Sequence, residues 1–314
     1  MSLAFLFPGQ GSQTVGMGAD LADAFASARE VFQEVDDALN QKLFRVMREG
    51  PEDQLTLTEN AQPALMAVSL AVMRTLDREF GITLTRASFL AGHSLGEYSA
   101  LCAAGALSLA QAAQLLKLRG QAMQRAVPVG AGAMASLIGP KADVTLAEAA
   151  ALKGSEAGVC VVANDNNQGN VVISGARAAV DRAIEEARAL GARAIALNVS
   201  APFHCPLMQP AADEMAAALA NAEIGEPRVP VVANVTAGPV VDPDIIRSLL
   251  VAQVTGRVRW RESVMWLAGE GGVTRFAEAG AGKVLTGMAR RIAPDAEGQA
   301  LNAPTDLEAF AASL

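Results

Sequence analysis

The feature that most constrains this chain is an apolar run that ends in a serine flanked by glycines. Ser88–Ala91 leads into Gly92-His93-Ser94-Leu95-Gly96, and a helical pattern follows from Leu95. This order matches GxSxG, in which the serine occupies a sharp turn from strand to helix. The N-terminus of the helix favours a developing oxyanion. The motif therefore predicts a nucleophilic Ser94 on an α/β scaffold, and a tight turn without chemistry is the open alternative.

Short apolar runs alternate with helical stretches along most of the chain, which is typical of an α/β fold. Strands are predicted at Leu3–Phe7, Ser88–Ala91, Val229–Ala233 and Val273–Phe276, and helical patterns at about 20–48, 61–80, 109–126, 206–221 and 282–292.

Residues 127–198 follow a different order, strand-helix-strand-strand-helix-strand, which is the ferredoxin-like unit. Its predicted elements are Ala133–Ile138, 143–153, Val159–Ala163, Val171–Ser174, 177–190 and Ala192–Val199. We therefore expect a small ferredoxin-like domain, 127–198, inserted into a large α/β domain made of 1–126 and 199–314. Val127-Pro128-Val129-Gly130 is a plausible hinge.

Only two histidines, His93 and His204, are available as a base for the serine. His93 adjoins Ser94 within the turn, so the turn directs its side chain elsewhere. His204 lies in a loop bracketed by Pro202 and Pro206, and loops on rigid scaffolds are where catalytic residues concentrate. The pattern favours His204 as the general base, and a histidine with a purely structural hydrogen bond is the open alternative.

One arginine interrupts the apolar face of the helix predicted at Leu109–Ala126. Leu115, Leu116 and Met123 belong to that face, and Arg119 falls in its middle. A buried charge is costly unless it is paired, and the planar fork of arginine suits a carboxylate. Arg119 either pairs with an internal acid or binds an acidic ligand. Beside an acyl-transfer serine, the second reading suggests an acyl group with a free carboxylate.

Composition argues against several function classes. The net charge of −8 and an aromatic content of 4% disfavour nucleic-acid binding, which needs a basic surface. The three cysteines have no CxxC spacing, so no metal site is expected, and such a sparse set suits a reducing cytosol. No apolar run of about 18 residues predicts a membrane span. Leu3–Phe7 is interpreted as a strand rather than a signal peptide, so we expect a cytoplasmic protein.

Two glycine-rich loops fail the nucleotide-binding patterns. The first loop is Gly9-Gln10-Gly11-Ser12-Gln13, and it departs from GxGxxG because residue 14 is Thr. The second loop is Gly280-Ala281-Gly282-Lys283, and it departs from the P-loop pattern because residue 277 is Ala and Val284 follows the lysine. The first loop follows the first strand, so its N–H groups could complete an oxyanion hole with that of Leu95. A simple connecting loop is the alternative.

Taken together, these motifs resemble the malonyl-CoA:acyl carrier protein transacylases, the acyltransferase family of fatty-acid and polyketide synthesis. The resemblance covers nearly the whole chain. It rests on Phe7-Pro8-Gly9-Gln10-Gly11-Ser12-Gln13, Gly92-His93-Ser94-Leu95-Gly96-Glu97-Tyr98, Lys117-Leu118-Arg119-Gly120, Gln62-Pro63-Ala64, Gly132-Ala133-Met134, Phe203-His204, Pro210-Ala211 and Gly282-Lys283-Val284-Leu285.

The resemblance implies a hydrolase-like α/β core with a mostly parallel sheet and a ferredoxin-like insert. It implies a ping-pong transfer of malonate from malonyl-CoA, through Ser94, to the phosphopantetheine thiol of an acyl carrier protein. No metal or redox cofactor is implied, coenzyme A thioester is a substrate, and we expect a monomer. The implied site residues are Ser94 and His204 as nucleophile and base, the N–H groups of Gln10 and Leu95 as oxyanion hole, Arg119 as carboxylate ligand, Gln62 as pocket lining, and the backbone carbonyl of Gln253 as the group that orients the histidine.

Phe203, before the histidine, goes with malonyl rather than methylmalonyl units in related domains. Many bacterial members have Ser there, so a polyketide-pathway acyltransferase is one alternative. A serine thioesterase or hydrolase is a second, and a non-catalytic carrier-binding module is a third. Carrier proteins are acidic, so docking on this acidic chain would need a local basic patch. The candidates are Arg257, Arg259, Arg261, Arg290 and Arg291.

Overall fold

Two separate sheets organise the computed structural model, which describes residues 2–314. The strands are β1 (Leu3–Phe7), β2 (Ala87–Gly92), β3 (Gly132–Ile138), β4 (Cys160–Asn167), β5 (Asn170–Ala176), β6 (Arg193–Ala196), β7 (Val231–Ala233), β8 (Gly238–Val240), β9 (Arg275–Ala279) and β10 (Glu297–Leu301). The helices are α1 (Ala19–Ala24), α2 (Ala26–Leu39), α3 (Leu43–Glu49), α4 (Glu52–Thr56), α5 (Thr58–Phe80), α6 (Gly96–Ala103), α7 (Leu109–Arg125), α8 (Val144–Gly154), α9 (Arg177–Ala189), α10 (Gln209–Ala220), α11 (Pro243–Thr255), α12 (Trp260–Ala268), α13 (Val284–Ile292) and α14 (Pro304–Ala312).

The larger sheet has the strand order β10-β9-β1-β2-β7-β8 and is parallel except for β8, which runs antiparallel to β7. Its central strand β1 is buried at all five residues, as expected for a strand covered on both faces. Phe5 and Phe7 face the core that contains α5, whereas Ala4 and Leu6 face the core that contains α12 and α13. Burying each of these phenylalanines stabilises the fold by roughly 1.5–3 kcal/mol.

The smaller sheet is antiparallel, with the order β4-β5-β3-β6, and α8 and α9 pack on it around their own apolar core. The chain order β3-α8-β4-β5-α9-β6 is the ferredoxin-like order. The predicted α/β class, with a mostly parallel sheet and a separate antiparallel unit, is therefore confirmed. The exact division at 126/127 and 198/199 stays a prediction.

A hydrogen-bonded seam joins the two units at the edge of β4. Asp165 N donates to Val258 O over 2.9 Å, and Val258 N donates to Ala163 O over 2.8 Å. The carboxylate of Asp165 also accepts two hydrogen bonds of 3.0 Å from Arg261 Nε. The ferredoxin-like unit is thus fixed against the large sheet, and a cleft lies between them.

One predicted stretch is interrupted and one predicted strand was wrong in its extent. The stretch 20–48 is helical, as predicted, and it is divided into three helices because Phe25 is extended and Asn40 adopts a left-handed φ of 46° that ends α2. The strand predicted at Ala192–Val199 extends only over Arg193–Ala196; Leu197 N still donates to Met134 O on β3, and residues 197–199 line the cleft. Six elements, α4, β8, β10, α11, α12 and α14, had no predicted counterpart.

Candidate active site

The serine turn requires glycine at positions 92 and 96, because other backbone atoms approach both residues too closely for a side chain. A Cβ on Gly92 would lie 1.8 Å from Gly96 O, and one on Gly96 would lie 2.2 Å from Phe7 O. Ser94 between them has a positive φ of 53°, which is unusual for a residue with a side chain and clusters at functional positions. The strand β2, the turn and α6 therefore form the strained elbow that the motif predicted.

Asn234, directly after β7, holds this elbow from behind. Its Oδ1 accepts from Ser94 N over 2.7 Å, and its Nδ2 donates to Gly92 O over 2.7 Å. Because the side chain satisfies a buried donor and a buried acceptor of the turn, the strained backbone does not leave unpaired polar groups.

His204 meets the serine from the loop after β6. Ser94 Oγ lies 2.8 Å from His204 Nε2, and Gln253 O lies 2.9 Å from His204 Nδ1. A carbonyl oxygen can only accept, so Nδ1 carries the proton and Nε2 is free to accept from the serine hydroxyl. His204 also has a positive φ, 57°. The geometry is that of a nucleophile and general base with a backbone carbonyl as the orienting group.

The imidazole of His204 is almost fully buried, and its surroundings disfavour its charge. Burial, with a smaller contribution from the nearby cation Arg119, lowers the pKa of His204 to about 3. The ring is therefore neutral at pH 7, which is the state that can take a proton.

Arg119 on α7 is buried beside this pair, and neutral oxygens surround its guanidinium. Nη1 donates to Gln62 Oε1 over 2.9 Å; Nη2 donates to Gln253 Oε1 over 2.8 Å and to Ser94 Oγ over 3.1 Å. Its Nε has no hydrogen-bond partner in the part of the chain that the structure describes. No carboxylate of residues 2–314 lies within ion-pair distance of the guanidinium. Of the two interpretations left by the sequence, the internal ion pair is wrong.

Gln10 and Leu95 both line the same cleft. Within residues 2–314 the backbone N–H of neither residue donates a hydrogen bond to the protein. Leu95 lies at the N-terminal end of α6, where the helix dipole favours negative charge. Two such unpaired donors beside a nucleophile are what an oxyanion hole requires.

The cleft itself has a volume of about 350 Å³. Residues of both units form its wall near the serine, and they are Gln62, Met123, Met134, Val199, Phe203 and Met288. Phe203 packs on Met134, Ala163 and Val172 of the smaller sheet. Every site residue predicted from the sequence, except Gln253, borders this cleft, and Gln253 contacts three of them from behind.

Comparison with known proteins shows where such a site occurs. Residues 4–297 match the family model described as an acyl transferase domain. The chain belongs to the acyl transferase family.

Curated relatives of this acyltransferase match over nearly its whole length. It is 44% identical over 307 residues to the malonyl CoA-acyl carrier protein transacylase of Escherichia coli K12, covering 98% of this chain and 97% of that protein. It is 45% identical over 291 residues to the protein of the same name from Bacillus subtilis, covering 92% of this chain and 90% of that one.

Solved structures agree. The acyl-carrier-protein S-malonyltransferase of Bartonella henselae superposes with a TM-score of 0.96 at 53% identity, covering 100% of this chain and 99% of that chain. A malonyl-transacylase in complex with a type II PKS acyl-carrier protein superposes with a TM-score of 0.96 at 42% identity, covering 100% of both chains.

The second histidine of the acyltransferase points away from the serine hydroxyl, as the turn predicted. His93 Nε2 lies 2.9 Å from Asn166 Oδ1 on β4, and its ring is near the indole of Trp260. Burial lowers the pKa of His93. His93 thus links the elbow to the ferredoxin-like unit.

Sequence reasoning missed two polar residues behind the site, Asn234 and Glu97. Asn234 follows β7 at the carboxyl edge of the parallel sheet, where functional side chains of α/β folds gather. Glu97 is an acidic residue in a helix whose residues are all buried. A charged residue among apolar neighbours is the same signal that singled out Arg119.

No cluster of three or more metal-ligating side chains occurs among residues 2–314. Over the same residues, no helix is both long and apolar enough to cross a membrane.

Proposed function

We propose that this acyltransferase transfers a malonyl group from malonyl-CoA to the phosphopantetheine thiol of an acyl carrier protein. The observation that supports it best is Arg119, a buried cation 3.1 Å from the hydroxyl of Ser94 that has no carboxylate partner among residues 2–314. The relatives named above have this activity in their names. The route is ping-pong, through a malonyl ester of Ser94.

In the first half, His204 Nε2 takes the proton of Ser94 as Oγ attacks the thioester carbonyl. The N–H groups of Gln10 and Leu95 receive the oxyanion, and such donors supply roughly 3–4 kcal/mol each of transition-state stabilisation. The carbon–sulfur bond then breaks, and the imidazolium returns its proton to the leaving thiolate of coenzyme A.

In the second half the carrier's thiol takes the place of coenzyme A. His204 removes the thiol proton, the sulfur attacks the malonyl ester, and the same two N–H groups hold the oxyanion. Collapse of this intermediate breaks the bond to Ser94 Oγ, which recovers its proton from the imidazolium. The enzyme is regenerated without any cofactor.

Arg119 contributes in two ways. Its guanidinium can pair with the free carboxylate of the malonyl group, which an acetyl group lacks, so that an acetyl chain leaves the cation buried and unpaired. The pairing also neutralises the cation that lowers the pKa of His204, so the bound carboxylate makes the histidine a stronger base.

The five arginines predicted as candidates for a carrier-docking surface differ in their ion pairing. Arg257, Arg259 and Arg261 each lie in an ion pair, with Glu148, Glu262 and Asp165 respectively. Arg290 and Arg291 form no ion pair within residues 2–314, and Arg291 borders a groove with Arg193 on β6. We infer that an acidic carrier docks on Arg193 and Arg291.

Charge reversal tests this surface. R193E and R291E should raise the carrier KM at low salt and leave the malonyl-CoA KM unchanged, whereas R257E is the matched control on a paired arginine. An unchanged carrier KM in R193E/R291E would remove the surface from the proposal.

A hydrolase is the main alternative, and a polyketide pathway differs only in the carrier served. A thioesterase would have no use for the unpaired Arg119, and a non-catalytic binding module would not need the 2.8 Å contact of Ser94 with His204. We further propose a cytoplasmic location, because three cysteines without a disulfide suit a reducing compartment. The expected monomer stays a prediction, which sedimentation would test.

The test is the intact mass after incubation with malonyl-CoA, with S94A in parallel. A malonyl-sized gain that S94A lacks and that pantetheine discharges supports the transferase. Free malonate without an adduct indicates a hydrolase, and neither adduct nor turnover indicates a binding module.

A further inference from the structure

Glu97 is a buried carboxylate behind the active site that the proposed chemistry does not use. It lies in the first turn of α6 and is 2% exposed. Its Oε2 accepts from Asn234 N over 2.9 Å and from Gln253 Nε2 over 2.8 Å. Burying a carboxyl group costs free energy even when it is hydrogen-bonded. The presence of Glu97 at this position therefore needs an explanation.

Gln253, the second of these partners, contacts three parts of the site at once. Its Oε1 accepts from Arg119 Nη2, its backbone carbonyl accepts from His204 Nδ1, and its Nε2 donates to Ser94 O over 3.0 Å as well as to Glu97. The residue is fully buried, so no water competes for these contacts. The position of its amide therefore affects the position of the guanidinium.

The amide of a glutamine has two orientations of similar shape, since its terminal torsion is broad. In the observed orientation an oxygen faces the donor Arg119. In the reversed orientation the NH₂ group would face the guanidinium, donor against donor, and the amide oxygen would face Glu97 Oε2 and Ser94 O. The acceptor Glu97 Oε2, at the shorter distance of 2.8 Å, therefore acts together with Ser94 O to select the first orientation.

We propose that Glu97, itself held by the backbone of Asn234, is a positioning residue that fixes the amide of Gln253 and thereby the guanidinium of Arg119. This inference rests on the proposed function, because the preference for a malonyl over an acetyl group is its readout. Glu97 acts by accepting a hydrogen bond at a defined place.

A fixed negative charge is not required for this role. Burial raises the pKa of Glu97 to about 7, although the hydrogen bonds from Asn234 and Gln253 and the charge of Arg119 oppose the shift. The carboxyl group is thus only partly ionised near neutral pH. A glutamine at position 97 can accept from the same two donors through its amide oxygen.

Three substitutions separate the acceptor from the charge. E97Q keeps an acceptor at the same reach but cannot ionise. E97D keeps an ionisable carboxyl group but withdraws it from Gln253. E97M keeps the length and has neither an acceptor nor an ionisable group. We expect the malonyl-over-acetyl preference to fall about tenfold or more in E97M, mainly through a higher KM for malonyl-CoA. E97Q should stay within about threefold of the wild type, and E97D should lie below E97Q.

A double-mutant cycle with Q253M tests whether Glu97 acts through Gln253. Because the backbone carbonyl of residue 253 is retained, Q253M disturbs the contact with Arg119 and keeps the one with His204. We expect E97M to have little further effect on the acyl preference in the Q253M background, so that the two effects are strongly non-additive.

Three results would overturn the inference: an unchanged preference in a folded E97M, additive effects in the cycle, or a better preference in E97D than in E97Q. If E97M does not fold, the comparison of E97D with E97Q decides alone. The wild type is measured first with both thioesters; if it forms no malonyl adduct, the proposed function fails, whereas failure of these variants alone rejects only the positioning role.

Discussion

Two arginines, Arg119 in the cleft and Arg261 in the seam between the two units, differ in what surrounds them. Arg261 on α12 contacts both carboxylate oxygens of Asp165, which is 1% exposed. Arg119 on α7 is as deeply buried as Asp165 but meets only amide, hydroxyl and aromatic groups. Arg261 has its carboxylate partner within the chain, and the ion pair joins the two units. Arg119 has no carboxylate partner among residues 2–314, and this is the best indication that the cleft accepts a ligand with a carboxylate.

The same substitution at the two positions should therefore have opposite effects. R119M should lower the kcat/KM for malonyl-CoA by about 10²–10³-fold, since a buried charge-assisted contact of the substrate is lost. It should not lower the free energy of unfolding, because it removes a buried, unpaired cation. Steady-state kinetics and urea unfolding of R119M test both statements, and marked destabilisation of R119M would contradict the comparison.

R261M should instead destabilise the protein by about 2–3 kcal/mol, because it leaves the carboxylate of Asp165 buried and unpaired. Partial exposure of Arg261, 29% of its side chain, reduces the effect below that of a fully buried pair. The malonyl-over-acetyl preference should not change. Urea unfolding with R257M as the control measures the loss, and an altered acyl preference in R261M would mean that the seam also shapes the site.

The pH dependence of stability should report the neutral, buried state of His204. The pKa of His204 is lowered from 6.5 to about 3 in the folded protein, so below pH 6.5 the unfolded chain binds a proton that the folded chain does not. Stability is then lost as pH falls from 6.5 towards 3. Because the lowered pKa of His93 acts in the same direction, H204Q should flatten this part of the curve only in part relative to the wild type, measured by urea unfolding at each pH. An equal slope in both proteins would contradict the neutral, buried histidine.

Phe203 should give the smallest of these effects. F203S removes an aromatic ring from the cleft wall near Met134, so a branched acyl group should fit better. We expect the kcat/KM for methylmalonyl-CoA to rise by about tenfold, in the range that one methyl group commands in an apolar pocket. F89S, which changes a phenylalanine packed on Trp266 away from the cleft, is the control. No gain in F203S would exclude Phe203 from acyl selection.

The residues proposed to react could be chosen from the sequence itself, and the orienting carbonyl of Gln253 was implied by the family resemblance, whereas Glu97 and Asn234, which lie behind them, were not predicted. Ser94 had a motif, His204 was one of two histidines, and Arg119 interrupted an apolar face. Glu97 had a common alternative explanation, since an acid in the first turn of a helix is ordinarily stabilised by the dipole. Asn234 is a lone polar residue after a three-residue strand, and no local pattern indicates that its side chain bonds a turn 140 residues away.

The elements of the fold also differ in whether a local sequence pattern predicts them. The buried strand β1 and the βαββαβ unit have clear periodicity, and both were predicted. The edge strands β8 and β10 are short and partly exposed, so they lack the apolar run or strict alternation that identifies a strand. Their places depend on pairing with β7 and β9, which is information that the local sequence does not contain.

The central claim is that Arg119 binds the carboxylate of the acyl donor. Its most direct test is the rate of Ser94 acylation by malonyl-CoA and by acetyl-CoA, measured in the wild type and in R119M. Rapid quenching and intact mass give all four rates. We predict that the wild type strongly prefers malonyl-CoA, and that R119M loses this preference because its malonyl rate falls while its acetyl rate does not. An unchanged preference in R119M would contradict the claim.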